Sequence, residues 1–136
     1  MSIKRQNWRN QLLSSISELT CLKTQEKEWL NNKNTNPHWS FVEFNCSYFD
    51  DILAGLDYQV YLDKGYLNKS EFDCIKDWHN ELDAYSSPNN DDHDHLAILK
   101  DPKWLSIVKL GKESKNKLLN IVENIKEKEL LNEKVA

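Results

Sequence analysis

The chain has 136 residues, of which 39% are hydrophobic and 29% charged, and its formal net charge is −4. That length suits one domain with a sizeable core; five Trp, five Tyr and four Phe argue against disorder over the whole chain, and only three Gly and three Pro argue against a loop-rich or all-β fold. The modest total hides a segregation: residues 43–101 carry fourteen acids and four bases, a net of −10, while residues 1–42 and 102–136 each carry +3.

Residues 3–19 read as a helix, because Trp8, Leu12, Ile16 and Leu19 recur every three or four positions. Basic residues open the chain, but Trp8-Arg9-Asn10-Gln11 interrupts any apolar run behind them, so no signal peptide is expected. Thr24 is a candidate cap for a short second helix with Trp29-Leu30 on its inner face, and Asn31 to Pro37 reads as a loop, with His38 just beyond it.

Ser40-Phe41-Val42-Glu43 has the form of a capping box. The helix it opens places Phe41, Phe44, Tyr48, Phe49 and Ile52 on one side, and Gly55 can end it in a left-handed turn. Residues 56–63 fit either a strand, by the alternation of Leu56, Tyr58, Val60 and Leu62, or two helical turns ending at Gly65. Helix is preferred, because no second convincing strand exists to pair with it.

Asn68-Lys69-Ser70-Glu71 opens a helix striped by Phe72, Ile75, Trp78, His79 and Leu82 that runs to about Tyr85. A loop over Ser86–Asp92 leads to a short helix through Leu96–Leu99. Asp101-Pro102 then starts the final helix, with Asp as cap and Pro where its missing N–H costs nothing. Trp104, Leu105, Val108, Leu118, Leu119, Val122 and Ile125 line it; Gly111 inside it costs about 1 kcal/mol relative to Ala and allows a bend. The sequence therefore predicts an all-α fold: a single compact domain of five to seven helices, with residues 1–2 and the polar tail 127–136 frayed.

Cys21, Cys46 and Cys74 are odd in number and widely spaced, which reads as buried free thiols in a reducing cytoplasm. The densest polar run is Asp91-Asp92-His93-Asp94-His95. As an EF-hand it fails, since the positions that need Gly and Glu hold Leu96 and Pro102. On a helix, His93 and His95 would diverge by roughly 200° and could not share an ion. A metal-dependent hydrolase built from His79, His93, Asp94 and Asp101 is a rival reading, but a His-Asp dipeptide alone carries little specificity. The sequence holds no glycine-rich phosphate loop, no nucleophile elbow and no Cys–His pairing, so no catalytic residue, metal or cofactor is assigned. Nucleic-acid binding is disfavoured, because the acidic middle repels phosphate.

Asp73, Asp77 and Glu81 fall four apart on the predicted helix and stack as one acidic stripe. Lys69 and Lys76 partly neutralise its first member. Asp83, Asp91, Asp92 and Asp94 follow directly. One reading is a plain solvated face; the other is a ridge that receives Lys and Arg from a partner. In the second reading Asp77, Glu81, Asp83, Asp91, Asp92 and Asp94 meet the partner's cations, and Tyr85 serves as an apolar anchor. A helical adaptor or regulatory subunit with an unrelated basic partner would show the same face.

The stretch Asp77-Trp78-His79, Leu82, Tyr85, Pro88, Asp91-Asp92 and Ile98-Leu99-Lys100-Asp101-Pro102-Lys103-Trp104 resembles part of the small bacterial immunity proteins encoded beside the toxin tails of contact-dependent growth inhibition systems. The resemblance covers about residues 40–124. It implies a cytoplasmic antidote that binds one toxin domain and blocks its active site or substrate surface. Many such toxins are nucleases, which are basic because they bind phosphate. The resemblance carries over no catalytic residue, and the acidic patch is not one of the family's motifs.

Overall fold

The computed structural model describes residues 3–30 and 40–132. Among them are eight α-helices and no strand: α1 (Ile3–Leu19), α2 (Leu22–Trp29), α3 (Phe41–Cys46), α4 (Tyr58–Asp63), α5 (Lys69–Asp83), α6 (His95–Lys100), α7 (Pro102–Ile121) and α8 (Ile125–Leu131). A π-helical segment, Ser47–Ile52, continues α3, and one 3₁₀ turn spans Pro88–Asn90. No helix of the described residues is long and apolar enough to cross a membrane. The expected loop at 31–37, and His38, lie outside the described residues.

The core is one cluster. α5 packs along α7, the most extensive helix pair, and α1 packs against α8, α7 and the π segment. Trp8, Leu12, Ile16 and Leu19 of α1 are buried as their spacing requires, but Leu13, Ser15 and Ser17 are buried as well. The helix is thus enclosed over a wide arc. Thr20 at its end and Trp78 of α5 converge on Gly111 of α7: a Cβ there would collide with Thr20 Cγ2 and lie 2.8 Å from Trp78 Nε1. Gly111 is therefore required by packing, and α7 runs through it as continuous helix.

Caps fix most helix starts. Ser40 Oγ accepts the amide of Glu43, Asp57 that of Gln59, Asp94 that of Ala97 and Asp101 that of Lys103. Asn68 and Glu71 complete a reciprocal capping box at α5. Thr24 is not a cap: α2 starts after Cys21, and Thr24 is buried with its hydroxyl 3.2 Å from Cys21 Sγ. Trp29 faces the core but Leu30 is exposed. The ambiguous segment is helix α4, closed by Gly65 at φ 73°. The thiols are free, yet Cys46 is exposed and Cys21 and Cys74 are half-buried rather than core residues.

The C-terminal region corrects two expectations. The final helix does not run through Ile125. It ends at Ile121, the chain turns at Val122, and Asn124 caps a separate α8 by accepting the amides of Lys126 and Glu127. Residues 127–131 are not frayed, because Glu127 and Leu131 are buried. Arg9 of α1 is the cause: it makes charge-assisted bonds to Glu71 of α5 at 2.6 and 2.9 Å and to Glu127 of α8 at 2.8 and 2.9 Å. The eighth helix, one more than the expected range, is this segment.

Candidate functional site

α5 presents three faces. Ile75, Trp78 and Leu82 point into the core. Asp73, Asp77 and Glu81 are exposed on a second face, and among the described residues only Asp73 is ion-paired there, with Lys69 at 3.4 Å. Phe72, His79, Asn80 and Asp83 line a cleft on the third. At 3.6 residues per turn, Asp83 sits about 120° around the helix from Asp77. The ridge expected as one surface is therefore divided, with Asp83 turned to the cleft.

The loop acids hold their own backbone. Asp91 Oδ1 accepts the amide of His93, Asp92 Oδ1 accepts the hydroxyl of Ser87 at 2.6 Å, and Asp94 caps α6. All three remain exposed, as do Asp77, Glu81 and Asp83. Tyr85 is half-buried: its hydroxyl donates to Asp101 Oδ2 at 2.8 Å, and its ring packs on Phe41 and Trp104. It belongs to the edge of the core and is only partly open to a partner.

Neither the Asp91–His95 run nor the hydrolase set of His79, His93, Asp94 and Asp101 gathers into a metal-ligand group among the described residues. His95 bridges two helix ends: its Nε2 accepts the amide of Phe41 at 3.4 Å, which leaves Nδ1 to donate to the carbonyl of Trp29 at 3.0 Å. Asp101 caps α7 and holds Tyr85. His93 is exposed. No group of three or more metal-ligating side chains is found among the described residues.

The cleft is the feature that sequence reading missed. It encloses about 540 Å³ between the π segment, the start of α4 and the end of α5. Leu53 N bonds Tyr48 O at 3.1 Å, the wide i−5 spacing of a π turn, and Gly55 N bonds Phe49 O at 2.9 Å. Ala54 and Gly55 take φ 55° and 68°, so the chain reverses sharply and brings Asp50 and Asp57 to the same cleft. Asp83 enters from α5. The wall behind them is a chain of rings: Phe49 lies 5.8 Å from His79, His79 4.8 Å from Tyr58, and Tyr58 5.2 Å from Phe72, centroid to centroid. Leu56, half exposed, forms part of the lining.

Beneath the wall, the Tyr48 hydroxyl lies 2.7 Å from His79 Nδ1 and also bonds the Tyr58 hydroxyl. Burial raises the pKa of both phenols and lowers that of His79, while Asp83 and Asp57 act in the opposite direction on the imidazole. The sequence offered the Gly55 turn as a signal, but not the facing of Asp50, Asp57 and Asp83. Comparison of the chain with protein-family models, with curated proteins and with solved structures finds no match.

Proposed function

We propose that this chain is an immunity protein: a cytoplasmic antidote that binds a cationic toxin domain, most naturally a nuclease, and neutralises it. One observation carries the reading. Asp77, Glu81, Asp83, Asp91, Asp92 and Asp94 are all exposed, and none of them forms an ion pair among the described residues. The buried charges, by contrast, are matched to one another around Arg9. A rigid helical scaffold that leaves several carboxylates unpaired maintains a negative field, and such a field accelerates encounter with a basic partner toward ~10⁸–10⁹ M⁻¹s⁻¹ at low salt.

The test is kinetic. Association with the partner should slow steeply as ionic strength rises, because the Debye length shrinks from about 10 Å at 0.1 M to about 3 Å at 1 M salt. Charge reversal of Asp91 and Asp92 should lower the on-rate if they act from the rim, with the dissociation rate nearly unchanged. A salt-independent on-rate would remove the reading. An adaptor with another basic partner differs in its gene neighbourhood, since an antidote is encoded just downstream of a large secreted toxin.

A further inference from the structure

We infer that the cleft lined by Asp50, Asp57 and Asp83 is a receptor for one arginine side chain of the protein partner. The inference deepens the binding reading above and rests on it for the source of that arginine. Two independent kinds of recognition meet here. Three carboxylates arrive from three different elements, the π segment, the cap of α4 and the last turn of α5. The same cleft is lined by the partly exposed rings of Phe49, His79 and Phe72, with Tyr58 buried and packed against His79 and Phe72 behind them. Carboxylates alone attract any cation. Carboxylates over aromatic faces favour a cation that is planar and weakly hydrated, which is guanidinium rather than ammonium.

The remaining features agree. The cleft's volume of about 540 Å³ lies within the usual range for small-ligand pockets. Leu56 offers apolar surface to the methylene stem of the incoming side chain. Tyr48 holds His79 Nδ1 from behind, and Nε2 has no partner among the described residues. Burial favours the neutral imidazole, so the ring adds no positive charge against a cation; Asp57 and Asp83 oppose this effect, and the phenols of Tyr48 and Tyr58 complete the ring's ionisable surroundings.

The experiment uses the full chain and N-acetyl-arginine-amide, whose only charge is the guanidinium. NMR follows the His79 ring signals during titration. Saturable shifts with a roughly millimolar Kd are expected, together with a fall in the His79 pKa as the bound cation repels the proton. Asp57→Asn with Asp83→Asn should weaken binding by about tenfold or more; Asn can still cap α4, so the fold is retained. Asp50→Asn, exposed on the π segment, is a second variant that leaves every cap intact and should also weaken binding. Asp77→Asn with Glu81→Asn, on the other face of α5, should change nothing. N-acetyl-lysine-amide should bind several-fold more weakly. Absent saturation, equal affinity for the two amides, or binding unaffected by the cleft variants would overturn the pocket. Capture of a basic protein at full strength by the cleft variants would also overturn the pocket's role while leaving the partner reading intact. Saturation by the arginine probe, with only acidic or neutral proteins captured, would uphold the pocket and sink the toxin reading.

Discussion

Arg9 and Glu127, 118 positions apart, share two hydrogen bonds of 2.8 and 2.9 Å, and this pair fixes the last helix to the first. Glu71 takes the other edge of the same guanidinium, and Arg9 Nη1 also donates to the carbonyl of Tyr66 at 3.0 Å. Arg9→Met would leave two buried carboxylates facing each other without a cation. It should cost about 3–5 kcal/mol in urea unfolding. The protective effect of Arg9 also has a pH signature. Arg9 holds the Glu127 carboxyl below its ordinary value of 4.5, so the stability it supplies is complete above 4.5 and is lost as pH falls below that. Glu127→Gln should flatten the acid limb of the stability curve in that window.

His79 gives a second, separate window. Burial lowers its pKa below the usual 6.5, so the unfolded chain takes up a proton more readily than the folded one. Its contribution is complete above pH 6.5 and is lost as pH falls from 6.5 toward the depressed value. Unfolding free energy followed against pH should decline there in the native chain, and His79→Gln should flatten that decline. Asp83→Asn should lower the His79 pKa further, because its carboxylate raises it. An unchanged titration would mean that Asp83 does not face the ring.

Gly111→Ala tests the convergence of α1, α5 and α7. The new methyl must displace Thr20 Cγ2 and Trp78, and overpacking of this kind costs about 1–3 kcal/mol. Thr20→Ser removes the colliding methyl and should recover part of the loss, with the indole contact left in place. Full additivity in the double-mutant cycle would refute the contact.

His95→Ala should destabilise the fold by about 1–3 kcal/mol, since it strands the carbonyl of Trp29 and the amide of Phe41 at once. Elemental analysis of the dialysed protein separates this structural role from a metal-dependent one. The expected result is no stoichiometric Zn, Mn or Fe; a bound ion lost when His79 or His93 is replaced by Ala would reinstate the hydrolase reading, and one lost in His95→Ala would show a metal role for His95 itself.

Most residues that announce local structure did so, Thr24, which caps no helix, being the exception. The Asn68 box, the Asp101-Pro102 start, the Gly55 and Gly65 stops and the Phe72 to Leu82 stripe all depend on neighbours within one or two turns. Features that depend on distant residues were not legible. Glu127 looks like a solvated tail residue until Arg9 and Gln6 reach it across the fold. Gly111 looks like a weak point until Thr20 and Trp78 are seen against it. Phe49 read as one more member of an apolar face, because a 3.6-residue period cannot reveal the π turn that brings it to the cleft. The acidic character of the middle of the chain was visible from composition; its division into an outer face and an aromatic-walled cleft depends on the α4 cap and the π segment.

The most direct measurement is capture from the host extract by the full chain at low salt, repeated with Asp77→Lys, Glu81→Lys, Asp91→Lys and Asp92→Lys combined. Identification of the captured protein and its association rate against ionic strength complete the test. The expected result is one basic polypeptide, encoded beside this chain, that elutes with salt and is lost on charge reversal. A partner that is acidic, or one held equally by the reversed surface at every salt concentration, would contradict it.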